Sequence, residues 1–307
     1  MVSAWLNSLV SGTVPTGAGY FGGGDEAVLV ATVDKFFFPS DSRTTLGTGL
    51  SSARGGPAGM ANCGTAGYFA GGDTGSDVDT VDKFLFADDS RTTLGTGLSA
   101  NAREGAGMSN SGTAGYVALG YGGAYLDTVD KFAFSDDSRT TLGTGLSSAR
   151  ASGSGMANSG TAGYFGGGGE PTIVDTVDKF AFSDDSRTTL GTGLSAASRN
   201  GAGMANSGTA GYFALGRAPS AVDTVDKFAF SDDSRTTLGT GLSSARYQLG
   251  GMANSGTAGY FGGGNTGTNV DTVDKFAFSD DSRTTLGTGL SAARRYVEGI
   301  ANSETLA

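Results

Sequence analysis

The stretch Thr32-Val33-Asp34-Lys35-Phe36 recurs five times in this chain, and each copy begins 48 residues after the one before it. A tyrosine keeps the same interval, at Tyr20, Tyr68, Tyr116, Tyr164, Tyr212 and Tyr260. Self-similarity at a fixed period of this size is typical of solenoids, propellers and other repeat arrays. The chain is therefore a six-fold tandem repeat, and its fold follows from what one 48-residue unit can form.

One unit divides into four strand-like segments. They are SGMANSG (154–160), TAGYFGGG (161–168), DTVDKFAF (175–182) and RTTLGTGL (187–194). The third is rich in β-branched and aromatic residues, and SDDS (183–186) after it supplies side chains that hydrogen-bond the backbone of a tight turn. Four short strands without a helical period predict one propeller blade. We therefore expect an all-β, six-bladed β-propeller with four antiparallel strands per blade.

The unit also resembles a kelch repeat. The match is an aromatic strand that runs into a glycine pair, then an aromatic strand, a polar turn and a final strand; the first part is Tyr164, Phe165, Gly166 and Gly167. It covers about residues 16–303 and departs at the last strand, where kelch units usually carry tryptophan and this unit has Leu190. The resemblance implies the propeller fold.

The end of the chain indicates how the ring closes. The segment GIANSETLA (299–307) matches GMANSGTAG (251–259), so the chain stops just before a seventh tyrosine strand. We expect residues 300–303 to form the innermost strand of blade one, beside the Tyr20 strand, because this pairing hides the edges that an open array would expose. The alternative is that residues 9–14 fill this place.

The expected domains are an N-terminal arm at residues 1–15 and the propeller at residues 16–307. Within the arm, Trp5, Leu6, Leu9 and Val10 would fall on one side of a short helix. Two interpretations stay open: the arm packs over the propeller's own face, or it attaches the protein to a partner or a larger assembly.

The six units differ in two segments. One follows the second strand, at residues 25–30, 73–78, 121–126, 170–174, 217–222 and 265–270. The other follows the last strand, at residues 55–58, 104–106, 151–154, 200–202, 247–250 and 295–298. If the strands are labelled A to D from the axis outward, the antiparallel order brings the B–C and D–A connections to the same face. Loops on a rigid scaffold are where recognition usually resides, so this variable face is the predicted binding surface.

Tyrosine, arginine and glutamine side chains in these loops are the candidate ligand contacts, because such residues supply rigid, amphipathic contact area. They are Tyr121, Tyr125, Arg217, Tyr247, Gln248, Arg295 and Tyr296. Exposed tyrosines could also stack on sugar rings. The alternative is that they are isolated surface residues.

Six arginines stand at the D–A junctions: Arg54, Arg103, Arg150, Arg199, Arg246 and Arg294. In kelch-like rings, arginines near this point often face the central opening and bind anionic groups, so the resemblance implies the same role here. The alternative is a salt bridge to an aspartate just ahead of strand C, namely Asp79, Asp127, Asp175, Asp223 or Asp271.

All six lysines occupy one position of the repeat: Lys35, Lys83, Lys131, Lys179, Lys227 and Lys275. The preceding aspartates alternate to the opposite sheet face; they are Asp34, Asp82, Asp130, Asp178, Asp226 and Asp274. Stacked blades cover both faces, and a buried unpaired charge is expensive. We expect both sets to pair between neighbouring blades, with each other or with Arg43, Arg91, Arg139, Arg187, Arg235 and Arg283.

Composition narrows the classes of partner. The formal net charge of −10 argues against nucleic acid, and the chain lacks basic patches that would hold it on anionic lipid. No apolar run is long enough for a transmembrane helix, and the start has no basic n-region, so neither membrane insertion nor a signal peptide is expected. A virion or cell-surface location needs neither feature.

The residue types disfavour catalysis. The chain has no histidine, which removes histidine-based triads and histidine-ligated metal sites, and Cys63 replaces the serine of one NSG turn. We therefore expect no cofactor, no metal and no enzymatic activity. A carboxylate-based glycosidase on the variable face stays open, since five carboxylates lie there: Asp25, Glu26, Asp73, Asp77 and Glu170.

The sequence thus predicts a non-catalytic binding module. It would recognise a glycan or protein surface through the variable face, as in a phage fibre or a microbial surface adhesin. The alternative is a structural subunit of a virion or surface layer, in which residues 1–15 make assembly contacts and the central funnel holds no ligand.

Overall fold

A computed structural model describes residues 17–169 and 172–303 and shows a six-bladed β-propeller. Each blade is a four-stranded antiparallel sheet, as the repeat predicts. The described residues contain no helix, and therefore none that is long and apolar enough to cross a membrane. The predicted arm at residues 1–15 lies outside the described residues.

The strands are numbered along the chain, and within each blade they follow one another from the axis outward. Blade one has β26 (Glu298–Asn302), β1 (Ala18–Gly22), β2 (Val33–Phe37) and β3 (Ser42–Thr45), and blade two has β4 (Ala58–Asn62), β5 (Ala66–Ala70), β6 (Val81–Leu85) and β7 (Arg91–Thr93). Blade three has β8 (Ala106–Asn110), β9 (Ala114–Ala118), β10 (Val129–Ala133) and β11 (Arg139–Thr141), and blade four has β12 (Ser154–Asn158), β13 (Ala162–Gly166), β14 (Val177–Ala181) and β15 (Arg187–Thr189). Blade five has β16 (Ala202–Asn206), β17 (Ala210–Ala214), β20 (Val225–Ala229) and β21 (Arg235–Thr237), with β18 (Arg217–Ala218) and β19 (Ser220–Ala221) as a small hairpin in its B–C loop. Blade six has β22 (Gly250–Asn254), β23 (Ala258–Gly262), β24 (Val273–Ala277) and β25 (Arg283–Thr285).

The ring closes through the C-terminal segment, as predicted. Strand β26 pairs with β1, with Ala18 opposite Asn302 and Tyr20 opposite Ile300. Ile300 is buried and joins the core between blades one and two. Blade one is therefore built from both ends of the described chain.

The core lies between blades, because each blade buries both of its faces. In blade two, Tyr68 stacks on Phe134 of blade three with ring centroids 5.4 Å apart. Phe69, the next residue, points the other way and packs with Ile300 and other residues of blade one. Consecutive apolar residues in strand B thus serve the two neighbouring blades, which explains why this strand has no polar alternation.

The lysines pair between neighbouring blades, as expected, but their partners are aspartates of the C–D turn. Lys83 contacts Asp137, in the C–D turn of blade three, at 2.7 Å, and the Tyr68 hydroxyl donates to the same carboxylate at 2.8 Å. Lys83 lies directly opposite Tyr68 in the sheet and shares its face, whereas Asp82 points to the other side. This contact recurs at all six junctions, and its other lysine–aspartate pairs are Lys35–Asp89, Lys131–Asp185, Lys179–Asp233, Lys227–Asp281 and Lys275–Asp41.

The strand C aspartates, each of which directly precedes a lysine in the sequence, are fully buried and accept several hydrogen bonds. Asp82 accepts hydrogen bonds from the Ser51 backbone at 2.7 Å and from the Thr93 hydroxyl at 2.6 Å, and it lies 2.9 Å from Arg54 of blade one. Burial acts to raise the pKa of Asp82, but these hydrogen bonds and the arginine charge outweigh it and hold the pKa below its ordinary value. Arginines at the start of strand D also contact these aspartates, but within one blade rather than between blades, as in the 3.8 Å pair of Arg91 with Asp82. The other such pairs are Arg43–Asp34, Arg139–Asp130, Arg187–Asp178 and Arg283–Asp274.

Glycine lets the inner strands of neighbouring blades approach closely. The glycines are Gly59, Gly107, Gly155, Gly203, Gly251 and Gly299, and a Cβ atom on Gly155 would collide with the Gly107 carbonyl oxygen. Gly155→Ala is expected to lower the free energy of unfolding by about 1–3 kcal/mol, the usual cost of overpacking. Gly191→Ala is the matched control, because a Cβ atom there meets nothing within 4 Å. Urea denaturation checks the difference, and equal losses in both variants would contradict this account of the axis.

Candidate functional site

Three consecutive positions in each D–A connection differ in burial and in the contacts that they make. They are counted from the leucine that follows strand D: Leu50, Leu98, Leu146, Leu194, Leu242 and Leu290. The fourth residue after it, the anchor position, is Arg54, Ala102, Arg150, Ser198, Arg246 and Arg294. The fifth, the mouth position, is Gly55, Arg103, Ala151, Arg199, Tyr247 and Arg295. The sixth, the collar position, is Gly56, Glu104, Ser152, Asn200, Gln248 and Tyr296.

The anchor arginines do not face the central opening. Arg54, Arg150, Arg246 and Arg294 are at most 4% exposed and lie between blades. Their carboxylate partners are the buried aspartates of strand C in the next blade, at 2.9–3.0 Å. For these four, the expectation of a ligand role at the opening does not hold, and neither does the alternative pairing with the aspartates ahead of strand C. A buried guanidinium needs a desolvated partner, and the strand C aspartate is the carboxylate on the facing surface.

The mouth residues join neighbouring blades. Each forms an antiparallel bridge with the residue that opens the next B–C loop; the pairs are Arg295–Asp25, Gly55–Asp73, Arg103–Tyr121, Ala151–Gly169, Arg199–Arg217 and Tyr247–Asn265. In the Arg103–Tyr121 bridge the two backbone hydrogen bonds measure 2.9 and 3.0 Å. The two variable segments, which are distant in each unit, are therefore paired side by side around the axis, as the predicted shared face requires.

The collar residues form a closed ring of backbone hydrogen bonds. Each N–H donates to the collar carbonyl of the preceding blade at 2.7–2.9 Å, and Gly56 closes the ring by donating to Tyr296. The five collar residues other than Gly56 have φ between 52° and 60°, a left-handed conformation that costs about 1–3 kcal/mol at a residue other than glycine. The floor of the variable face thus stores backbone strain that the ring of hydrogen bonds offsets.

A cavity of about 390 Å³ opens above the collar on the side of blades three to five. Its lining is Arg103, Glu104, Tyr121, Tyr125, Ala151, Ser152, Gly169, Arg199, Asn200, Arg217, Tyr247, Gln248 and Tyr296. Its described lining includes three arginines, Arg103, Arg199 and Arg217, and one carboxylate, that of Glu104.

Aromatic rings and guanidinium groups stack along the wall of the large cavity. The Arg103 guanidinium lies 5.0 Å from the centre of the Tyr121 ring, which meets Tyr125 edge to face at 5.1 Å. Arg217 lies 5.5 Å from the centre of the Tyr247 ring. These cation–π contacts hold the side chains in fixed positions before any ligand arrives, which lowers the entropic cost of binding.

Several polar groups of the large cavity have no partner within the described chain. The side-chain oxygen of Gln248 is buried and accepts no hydrogen bond there. No described residue lies within hydrogen-bond distance of the Tyr121 or Tyr247 hydroxyl. Burial, followed by the charge of Glu104, raises the pKa of Tyr296 to about 12, so this hydroxyl stays protonated at neutral pH. The cavity can therefore both donate and accept hydrogen bonds.

A second, smaller cavity of about 300 Å³ adjoins it over blades one and two and shares Arg103, Glu104 and Tyr296. The aspartates at this cavity are engaged by arginines. Asp25 accepts two hydrogen bonds from Arg295 at 2.9 and 3.0 Å. Arg103 lies 3.1 Å from Asp77 and 3.4 Å from Asp73. Carboxylates held in this way are poor candidates for the proton-donating acid that a glycosidase needs.

The opposite end of the axis is uniform. Its opening, about 170 Å³, is lined by the repeated glycine, methionine, alanine and serine residues of strand A and the A–B turn. Serine hydroxyls there accept hydrogen bonds from the turn of the preceding blade, as Ser111 does from the Cys63 backbone at 3.0 Å. The Cys63 thiol lies 3.2 Å from the Ser303 hydroxyl, in the place that serine takes in the other blades. The repeated residues at this end therefore serve the scaffold.

The structure brings six of the seven candidate residues to the large cavity, and the seventh, Arg295, lines the smaller one. Of the junction arginines, only Arg103 and Arg199 join them. Sequence reasoning missed the collar side chains Glu104, Ser152 and Asn200. Counting from the preceding leucine would have found them, because Arg103 and Arg199 come one residue later than the other four arginines.

Comparison of the chain with protein-family models finds no match, and comparison with curated proteins finds no similar sequence.

Proposed function

We propose that this protein is a non-catalytic binding module that recognises a glycan or a protein surface through the large cavity of the variable face. One observation carries the proposal: the residues that differ between otherwise near-identical repeats converge on one polar cavity that tyrosine and arginine line. A cavity of about 390 Å³ lies within the range of small-ligand sites.

Two further features support binding at this place. The unpartnered Gln248 oxygen and the tyrosine hydroxyls are groups that a ligand's own hydroxyls can satisfy, and leaving a buried polar group unpaired costs about 1–3 kcal/mol. The strained collar lies directly beneath them, and backbone strain concentrates at functional sites.

Between the two ligand classes, the geometry favours a glycan. The site is concave and polar rather than flat and apolar, and its fixed tyrosine rings offer faces on which a sugar ring can stack. A terminal sugar that enters the funnel would meet hydrogen-bond donors and acceptors on all sides. The absence of histidine and the arginine-bound aspartates support a role in binding without turnover.

Glycan-array binding followed by titration tests the proposal. Tyr247→Ala and Tyr121→Ala are each expected to weaken the detected interaction by about tenfold, since one aromatic stacking contact is worth about 0.5–1.5 kcal/mol and a hydroxyl hydrogen bond adds about 1 kcal/mol. Leu85→Ala is the control: Leu85 is exposed on strand β6, and four other blades carry alanine there. Unchanged binding in both tyrosine variants would overturn the proposal and favour a structural subunit.

We also propose that the repeat is kelch-like. The support is the glycine-rich end of the tyrosine strand: Gly166 ends strand β13, and Gly167 and Gly168 after it have φ of 66° and 99°, a conformation that glycine adopts without steric cost. A sequence profile built from the six units is expected to retrieve kelch units ahead of other propeller repeats. Retrieval of a different propeller class would reject the assignment.

A further inference from the structure

One of the six mouth bridges joins two arginine residues. At the junction of blades four and five, Arg199 and Arg217 exchange both backbone hydrogen bonds, at 2.9 and 3.0 Å. The equivalent bridge between blades six and one pairs Arg295 with Asp25 and neutralises its charge.

Arg217 is the arginine of this bridge that is poised for a ligand. Its Nε donates to the Pro219 carbonyl at 3.0 Å, and its guanidinium lies over the Tyr247 ring. No described carboxylate lies within salt-bridge distance of it. The Pro219 and Tyr247 contacts hold the guanidinium in place without neutralising its charge, and it borders the large cavity.

We infer that Arg217, with the Arg199 backbone bridge and the Tyr247 ring beside it, forms a subsite for the carboxylate of an acidic sugar. The inference rests on the proposed function and names the ligand class of the same cavity. A guanidinium presents parallel N–H donors that match the two oxygens of a carboxylate. Tyr247 would contact the sugar ring that carries this carboxylate, and the Gln248 oxygen would accept from one of its hydroxyls.

The test uses trisaccharides that contain glucuronate, galacturonate or N-acetylneuraminate, each paired with its carboxyl-reduced neutral counterpart. Calorimetric titration of the full chain is expected to show at least one acidic trisaccharide bound about tenfold or more tightly than its neutral counterpart, with the preference shrinking as salt rises. This measurement needs no variant, so it does not depend on how a substitution folds.

Arg217→Asn is the decisive variant, because blade six carries Asn265 at the same position. It is expected to weaken binding of the acidic trisaccharide about tenfold to a hundredfold and that of the neutral one less than about twofold. Arg217→Lys keeps the charge and is expected to fall between the two. Arg235→Ala is the charge-matched control, because Arg235 lies on the outermost strand of blade five and lines neither cavity.

The outcomes separate this inference from the proposed function. If the chain binds neutral trisaccharides as well as acidic ones, or if Arg217→Asn weakens both forms equally, the carboxylate subsite is wrong and glycan binding stands. If neither form binds at any salt concentration, the carboxylate subsite is wrong, and the glycan array with its tyrosine variants decides the proposed function separately.

Discussion

Replacing Asp82 by alanine is expected to lower the free energy of unfolding by about 3–5 kcal/mol, the usual cost of leaving one partner of a buried ion pair alone. The remaining partner would be Arg54, which is fully buried between blades one and two. The variant also removes the acceptor for the Ser51 backbone and the Thr93 hydroxyl. Urea denaturation monitored by tyrosine fluorescence measures the loss.

Asp130→Ala is the matched comparison within the same chain. Asp130 accepts the equivalent hydrogen bonds, from the Ser99 backbone and the Thr141 hydroxyl, but the anchor position that faces it is Ala102. Asp130→Ala therefore orphans no buried anchor arginine and is expected to cost clearly less than Asp82→Ala. Adding Arg54→Ala to Asp82→Ala is expected to recover part of the loss. Equal losses for the two single variants would show that the arginine contributes nothing.

The same ion pair predicts an acid limit for the parent protein. The pKa of Asp82 is lowered in the folded state, so its contribution is present above the ordinary carboxyl pKa near 4 and is lost as the pH falls below it. Asp82→Ala is expected to lose less stability than the parent between pH 5 and pH 3.

Glu298→Ala is expected to stabilise the protein in alkaline solution. Glu298 belongs to the closing strand β26 and lines a space of about 50 Å³ beneath the collar, where the other blades have Ala58, Ala106, Ser154, Ala202 and Gly250. Glu298 as a whole is only partly buried, but desolvation of its carboxyl raises the pKa to about 8, although the backbone N–H groups of Gly299 and Gly59 act in the opposite direction. Ionisation at this place therefore opposes folding.

The sign of the pH dependence follows from the raised pKa. The folded state keeps the proton that the unfolded chain releases near the ordinary glutamate pKa of 4.5, so stability declines as the pH rises from there to about 8. At pH 9 the alanine variant is expected to exceed the parent by about 2–4 kcal/mol, and at pH 5 by less than about 1 kcal/mol. Glu298→Gln separates charge from packing, because it removes the charge and keeps the shape. If the parent loses no more stability than both variants between pH 5 and pH 9, Glu298 does not ionise against folding.

The fold is predictable from the sequence because the same pattern of strand and turn residues occurs in all six units. The strand types, the blade count and the closing strand follow from the 48-residue interval and from the match of residues 299–307 to residues 251–259. The predicted length of strand D is too great: the pattern indicates a strand over residues 187–194, but β15 ends at Thr189. Beyond Thr189 the chain bends at residues 191–192, and Gly191 and Gly193 belong to no strand.

The candidate site is only partly predictable. The convergence of the variable loops on one face follows from the antiparallel order of the strands alone. The tyrosines and arginines of those loops could therefore be identified as candidate ligand contacts from the sequence. The split of the junction arginines could not be read from their shared place in the repeat. A shift of one residue separates Arg54, buried against Asp82, from Arg103, which faces the cavity. The sequence pattern predicts the direction of each strand. It does not predict which charges pair between blades, because that depends on how far each side chain extends across the interface.

Because β26 completes blade one, this blade cannot be completed during translation until β26 has been synthesised. Strands β1 to β3 are translated before the other strands of the ring, yet the inner edge of β1 has its partner only after residues 298–302 have been made. Five blades can be assembled from contiguous sequence while the first waits with an open edge, and such an edge is a template for pairing with another nascent chain. Residues 298–302 therefore end this exposure, and a chain arrested before residue 298 would retain the open edge.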